Sequence, residues 1–186
     1  VETAVLALQS AGEDVAGVYG DCDYVDEAGR PLGEYPSRPF EYDRLVLLTE
    51  DFIPQPGVFL RREWVERAGM LDENLHFVMD YDLWLRLGMH AQMEYLSKKM
   101  AFARLHGGAK TLSSTARFGD ELASVFLRLV GRPDFPGRLQ LQKDSILANA
   151  FIHAASLCFW GGETRRARHY LGEAWSQTPF PRARAF

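Results

Sequence analysis

Three carboxylates lie close together in the segment VAGVYGDCDYVDEAG, at positions 21, 23 and 26. Residues 15–20, which precede them, are apolar and indicate a buried strand that ends in acids. An ionised carboxylate taken out of water must be paired, hydrogen-bonded or bound to a cation, so packing alone does not account for such a cluster. Asp21 and Asp23 are two positions apart, and their side chains point the same way in extended backbone. The pair could therefore share one divalent cation.

Other roles for the cluster remain open from these residues alone. The simplest is a solvated acidic turn at the end of a strand. An EF-hand loop counted from Asp21 would need an oxygen ligand and then a glycine where the sequence has Val25 and Asp26, so that motif does not fit. A phosphatase with a strand-end Asp nucleophile would normally continue with a Gly-Thr-like phosphate-binding pair, which Tyr24 and Val25 do not supply.

A second pair of acids, Asp80 and Asp82, begins a predicted helix within residues 75–88. Asp80 lies on the face of this helix that carries the apolar side chains, which are Leu83, Trp84 and Leu87. A helix N-terminus favours a carboxylate, and burial beside apolar groups raises a carboxyl pKa. Asp80 is therefore a candidate general base. Asp82 lies on the opposite side, four positions before Arg86, and is interpreted as a structural helix charge.

His106 is the histidine with a setting that favours ligand binding. It follows a predicted strand and precedes Gly107 and Gly108, which allow the backbone to approach a ligand closely. Imidazole also often joins carboxylates on ions such as Mn²⁺. A structural or surface role is the commoner one for a single histidine, and it is the interpretation for the other four.

The elements that must position these residues alternate between helix and strand as far as about residue 112, which predicts an α/β domain over residues 1–112. Helices are predicted at 1–11, 41–49, 61–68 and 75–88, and extended segments at 15–20, 52–60, 92–96 and 100–105, with 31–42 irregular. Residues 113–186 form a predicted helical region with helices at 118–130, 139–160 and 164–178. The last two resemble one helical hairpin of a tetratricopeptide repeat, and no second copy follows.

Composition and charge exclude some classes of partner. The net charge is −4, so no basic field attracts nucleic acid. The longest apolar stretch, LANAFIHAASLCFW, is about 14 residues, short of the roughly 20 that a membrane-spanning helix needs. Cys22 and Cys158 are too few for a disulfide framework and are predicted to be free thiols of a cytoplasmic protein.

Five segments, taken in order, resemble the family 2 glycosyltransferases, which are inverting enzymes of the GT-A fold. These segments are VYGDCDYVDEAG, IPQPGVFLRREW, GMLDENL, MDYDLWLRLG and ARLHGGAKT, and the resemblance covers roughly residues 1–111. It implies a partial GT-A, Rossmann-like mixed sheet with flanking helices, followed by the helical C-terminal region. Cell-surface polysaccharide biosynthesis, in the cytoplasm or at the inner face of the membrane, is the implied setting.

The resemblance also implies a role for each candidate residue. Asp21-Cys22-Asp23 is similar to the family's D-x-D motif, whose carboxylates hold a divalent metal, Mn²⁺ or Mg²⁺, on the diphosphate of a nucleotide-sugar donor. Asp80 falls at the catalytic base position, which the family usually writes Glu-Asp and which has Met79 before it here. His106 resembles the late histidine that contacts metal or diphosphate. The base would deprotonate a hydroxyl of a carbohydrate or lipid-linked acceptor.

The N-terminal residues depart from the family pattern. Family members open with a strand carrying a Pro-x-Tyr-Asn-like motif and an early Asp for the base, and residues 1–18 contain neither. The expectation is a fragment that binds nucleotide sugar weakly and transfers no sugar by itself. A sheet edge left open would favour a homodimer. Two other functions remain: a protein-interaction or oligomerisation module, and a metal-dependent phosphoester hydrolase.

Overall fold

The computed structural model describes residues 1–105 and 115–178, and these residues form a mixed α/β structure. The helices are α1 Glu2–Ser10, α2 Tyr42–Leu48, α3 Arg62–Arg67, α4 Met79–Gly88, α5 Thr115–Val130, α6 Lys143–Trp160 and α7 Thr164–Gln177. The strands are β1 Val15–Val25, β2 Pro31–Glu34, β3 Phe59–Leu60 and β4 Gln92–Arg104, and short 3-10 helices cover Gln55–Gly57 and Gly137–Gln142. The predicted α/β class is confirmed. The predicted boundary at 112/113 and His106 both lie outside the described residues.

The chain divides into two compact units. The first unit comprises Val1–Tyr42, Asp51–Leu71 and Leu83–Gly107, and the second comprises Asp43–Glu50, Asp72–Asp82 and Gly108–Phe186. The first unit therefore contains the sheet with Asp21 and Asp23, and the second contains Asp80 together with the C-terminal helices. No helix in the described parts of the chain is long and apolar enough to cross a membrane.

The sheet of the first unit is built around β1. Strand β4 runs parallel to β1 and pairs with it from Val15 to Val25, which occupies one edge of β1 along its whole length. The other edge is shared by two antiparallel strands. β3 pairs with Gly17 and Val18 near the start of β1, and β2 pairs with the segment that begins at Asp23 near its end. Every part of β1 that carries an acid thus has a neighbouring strand.

Three strand predictions are corrected by this pairing. β1 was expected to stop at residue 20 and runs on to Val25, so both acids of the pair lie inside the strand. Residues 92–96 and 100–105 were expected to be separate strands and form one, β4. Residues 31–42 were expected to be irregular, and their first part is β2. In each case backbone hydrogen bonds to a neighbouring strand outweigh the local preference of polar, glycine or proline residues.

The predicted helices are found within a few residues of their expected ends. Two helices start four residues later than predicted. The helix predicted at 75–88 begins at Met79, and the one predicted at 139–160 is preceded by the 3-10 turns of Gly137–Gln142 and begins at Lys143. α5 begins three positions earlier than predicted, at Thr115. Helical periodicity of apolar residues is a strong signal when the helix covers a core with one face, as α5 does.

Each unit has its own apolar core. Fully buried side chains of the first unit come from β1, the segment after Asp51 and α4, and they include Ala16, Val18, Tyr19, Phe52, Ile53, Leu85 and Leu87. Those of the second unit come from α2, the residues before α4 and the C-terminal helices, and they include Leu45, Val46, Val78, Phe126, Leu139, Ile146 and Phe151.

Arg61 joins α1 to β1 within the first unit. Its guanidinium donates to the carbonyl oxygens of Val15 at 3.0 Å, Leu8 at 2.5 Å and Ala11 at 3.3 Å. The last carbonyls of a helix have no partner inside the helix, so an arginine that reaches them satisfies groups that would otherwise need water. Its planar group of several donors suits three acceptors better than a lysine would.

Replacing Arg61 should therefore weaken the first unit. We expect Arg61→Ala to lower the free energy of unfolding by about 1–3 kcal/mol, because several hydrogen bonds from a charged donor are lost. Urea denaturation measures the change. The neighbouring Arg62 has a side chain 91% exposed and pairs with Glu66 on the surface of the same helix, so Arg62→Ala should stay within about 0.5 kcal/mol of the wild type. Equal losses of unfolding free energy in Arg61→Ala and Arg62→Ala would contradict the role of Arg61 in joining α1 to β1.

Candidate functional site

The acid pair of β1 lies opposite an irregular part of β4. In the parallel register Gly20 is opposite Leu96, Asp21 is opposite Lys99, and Cys22 is opposite Ala101. β4 therefore advances five positions, from 96 to 101, while β1 advances two, from 20 to 22. Such bulges re-aim side chains and are frequent beside functional sites. Here the bulge brings a lysine next to the two carboxylates.

Gly20 makes this close approach possible. A Cβ added at Gly20 would lie 2.5 Å from the carbonyl oxygen of Lys98 and even nearer to the Cγ of Met100. Real Cβ atoms are not found that close to backbone oxygen, so a side chain at this position would push the bulge away. Gly20 therefore allows β4 to pack closely against the part of β1 that carries the acid pair.

Each acid of the pair has one side-chain partner on β4. The hydroxyl of Tyr95 donates to Oδ1 of Asp21, and this bond raises the pKa of Tyr95. The ammonium of Lys99 forms an ion pair with Oδ2 of Asp23, and this bond raises the pKa of Lys99. Asp23 is 9% exposed, so its charge needs such a partner.

Asp26, the third acid of the cluster, is structural. Its Oδ1 accepts the backbone N–H groups of Ala28 at 2.9 Å and Arg30 at 2.8 Å, and its Oδ2 accepts from Nε of Arg30 at 2.6 Å. These bonds lower the pKa of Asp26, with the backbone N–H of Arg30 as the largest cause. The turn between β1 and β2, with Gly29 at φ +82°, is closed by this carboxylate.

The oxygen ligands at this end of the sheet are of the kind that Mg²⁺ and Mn²⁺ prefer. Asp21 and Asp23 supply two carboxylates with lone pairs beyond those used by Tyr95 and Lys99. Among the described residues, no group of three or more His, Cys, Asp and Glu side chains is arranged to hold a metal ion. His106, the predicted third ligand, lies outside the described residues. The chemistry of the pair fits a divalent cation, and a full set of protein ligands is a prediction.

Asp80 is the second residue of α4 and belongs to the second unit. Its side chain is half-buried, and Oδ1 accepts the backbone N–H of Tyr81 at 2.8 Å. Burial raises the pKa of Asp80 above its ordinary value, and the bond from Tyr81 opposes part of that rise. The predicted position at the start of a helix and the predicted direction of the pKa shift are both confirmed.

Asp82 lies deeper than a surface helix charge would. It is 7% exposed, and its Oδ1 is 3.8 Å from Nη2 of Arg128 in α5. Arg128 also pairs with Asp72 at 3.1 Å. The helical pattern around Asp82 contained no sign of this partner, because Arg128 comes from a part of the sequence that was assigned to a separate region.

Sequence reasoning therefore identified the acids and missed the side chains that hold them. Tyr95 falls within the strand predicted at 92–96, and Lys99 falls between that strand and the one predicted at 100–105. Lys99 reaches Asp23 from 76 positions along the chain. A lysine pair, Lys98 and Lys99, interrupting a strand pattern was the one available signal. The structure places Asp21 and Asp23 together on one strand of the first unit and Asp80 in the second unit.

Comparison with known proteins does not add a family to this description. No protein-family model matches the chain. No curated protein matches its sequence either. The function is therefore argued from the residues and their geometry.

The close approach at Gly20 can be tested by adding one methyl group. Gly20→Ala should lower the free energy of unfolding by about 1–3 kcal/mol, since the bulge of β4 must shift to admit the Cβ. Urea denaturation measures the loss. Gly172→Ala is the control: it lies within α7 with nothing within 4 Å of the added Cβ, and it should raise stability by about 0.5–1 kcal/mol. A Gly20→Ala variant as stable as the wild type would mean that the bulge is not tightly packed.

The burial of Asp80 predicts a pH-dependent stability. Because the pKa of Asp80 is raised above 3.8, the folded protein holds the carboxyl proton more tightly than the unfolded chain does. The free energy of unfolding therefore falls as the pH rises from the pKa of the unfolded chain through that of the folded protein. Asp80→Asn removes this cost and keeps an acceptor for the N–H of Tyr81. We expect the variant to gain about 1 kcal/mol on the wild type at neutral pH, and this gain should vanish as the pH falls well below 3.8.

Urea denaturation at a series of pH values, from about 3 to about 8, measures this difference. The control is Glu73→Gln, which removes one negative charge from an exposed position of the same unit. A gain from Asp80→Asn that is the same at every pH would refute the burial effect.

Proposed function

We propose that this chain carries the metal and acceptor part of an inverting, family 2-like glycosyltransferase of the GT-A fold. The reaction would transfer a sugar from a nucleotide-sugar donor to an acceptor hydroxyl. The observation that carries the proposal is the acid pair Asp21 and Asp23, held on one strand by the glycine and the β4 bulge beside it. The five sequence segments that resemble the family, in their order, support the same assignment.

The acid pair would bind the diphosphate end of the donor. Asp21 and Asp23, with His106 as the proposed third ligand, would hold Mn²⁺ or Mg²⁺. A bound metal of this kind neutralises the charge that develops on a departing diphosphate. Lys99 adds a fixed positive charge beside Asp23, and an ammonium is a common partner of phosphate oxygens. Tyr95 holds Asp21 in one orientation through its hydroxyl.

Asp80 would act as the general base. Its carboxylate must be ionised to accept the proton of the acceptor hydroxyl, and burial brings its pKa closer to the working pH, which makes it a stronger base. The hydroxyl oxygen would attack the anomeric carbon on the face opposite the leaving diphosphate. One displacement of this kind inverts the configuration of the sugar.

The fold supports the proposal at the level of its sheet. A GT-A domain is a Rossmann-like α/β structure, and the described sheet is a mixed one in which β1 and β4 are parallel and β2 and β3 are antiparallel to β1. Ligands of such sheets bind beside the carboxyl ends of the parallel strands. Asp21 and Asp23 lie in the second half of β1, toward that end.

Transfer of labelled sugar from UDP- and GDP-sugars by the whole protein tests the proposal. Asp80→Asn should lower kcat by about 10²–10⁴-fold, the usual contribution of a general base, with little change in the KM for the donor. Asp21→Asn combined with Asp23→Asn should abolish metal-dependent donor binding. Asp26→Asn is the matched control within the same acidic cluster and should keep both properties, because Asp26 closes a turn.

Two outcomes would overturn the proposal. One is transfer at the wild-type rate by the Asp80→Asn variant. The other is release of phosphate from a simple phosphate ester, dependent on Asp21 and Asp23, with no sugar transfer, which would favour the hydrolase.

A further inference from the structure

The residues that lead into α4 are held by a carboxylate from α5, within the second unit. The side chain of Glu121 accepts the backbone N–H groups of His76 at 3.0 Å, Phe77 at 2.8 Å and Val78 at 3.3 Å. α4 begins at the next residue, Met79, and Asp80 follows. One carboxylate therefore accepts three successive N–H groups directly before α4, whose second residue is the proposed base.

These three N–H groups lie just before α4 and need an acceptor. The helix dipole also favours a negative charge close to a helix N-terminus. A side chain that accepts N–H groups at the start of a helix usually comes from nearby in the sequence. Glu121, in contrast, is 43 positions beyond Val78. The start of α4 is thus fixed by tertiary structure.

The same helix, α5, also contacts the residues that follow Asp80 in α4. The ring of Phe126 is 6.1 Å from that of Tyr81, and Tyr81 donates its hydroxyl to the carbonyl of Leu45 at 2.7 Å. Arg128 lies 3.8 Å from Asp82. In the sequence, Asp80 therefore lies between residues 76–78, which Glu121 contacts, and residues 81–82, which Phe126 and Arg128 contact.

We propose that Glu121 is a positioning residue for Asp80, fixing the first turn of α4 so that the Asp80 carboxylate keeps the orientation in which it accepts the N–H of Tyr81. The importance of that orientation for catalysis rests on the proposed function. Without Glu121, three N–H groups turn to water, the first turn of α4 opens, and Asp80 leaves its bond to Tyr81. The C-terminal helical region then contributes to catalysis through α5, the helix that carries Glu121.

Nuclear magnetic resonance on the whole protein tests this directly, with Tyr81 as the reporter. A bonded amide proton is shifted and protected, so the Tyr81 amide reports the orientation of Asp80. In Glu121→Ala we expect hydrogen exchange at His76, Phe77 and Val78 to accelerate by about tenfold or more, and the Tyr81 amide resonance to move. Glu121→Gln keeps an acceptor oxygen and should show the same changes at smaller size. If Glu121→Ala does not fold, the same measurement on Glu121→Gln tests the proposal.

The matched control is the neighbouring acid, Asp120. It accepts from the hydroxyl of Tyr170 at 2.8 Å and pairs with Arg166 at 3.2 Å, so it holds α7 and not α4. Asp120→Asn should leave the Tyr81 amide and the exchange at residues 76–78 unchanged. A residue that only stabilises the fold would lower the free energy of unfolding without moving a native-state resonance at Tyr81. An unmoved Tyr81 amide in both Glu121 variants would overturn the proposal.

Kinetics separate this inference from the proposed function. Glu121→Gln should lower kcat for sugar transfer, by less than Asp80→Asn does, with the donor KM unchanged. If Asp80→Asn transfers at the wild-type rate while Tyr81 responds to Glu121, the proposed function fails and the positioning role stands. If Asp80→Asn is inactive and Tyr81 does not respond, the positioning role fails and the proposed function stands.

Discussion

The parallel pairing of β1 with β4 is the interaction on which the acid pair depends. Two ionised carboxylates inside a strand repel each other and lose hydration, so they persist there only if a neighbouring strand supplies both the backbone ladder and compensating side chains. β4 does both, since it pairs with β1 from Val15 to Val25 and places Tyr95 and Lys99 against Asp21 and Asp23. The strand extends through its acids because of that partner.

Local features adapt the first unit to this pairing. The bulge in β4 lets a lysine face the acids, and Gly20 leaves room for the bulge. Asp26 closes the turn after β1, and Arg61 fixes the start of β1 to the end of α1. Each feature acts on the backbone of β1 or its neighbours, so the position of Asp21 and Asp23 is determined by groups outside the pair.

Asp80, in the second unit, is a carboxylate whose pKa is raised by burial. A half-buried carboxylate with a raised pKa costs folding free energy at neutral pH, and the same raised pKa would make Asp80 a stronger base in the proposed reaction. The surrounding hydrogen bonds fix the backbone around it: the N–H groups before α4 donate to Glu121, and the hydroxyl of Tyr81 donates to the carbonyl of Leu45.

The sequence by itself determined the α/β class, the helices with an apolar face and the acids of interest, because periodicity and residue type are local properties. It located Asp80 at a helix start beside apolar residues and predicted the direction of its pKa shift. It missed the length of β1, the unity of β4, and the roles of Lys99 and Glu121. The pairing of β1 with β4 joins residues 76 to 79 positions apart, and Lys99 and Glu121 reach partners 76 and 43 positions away, so only the tertiary structure brings these residues together.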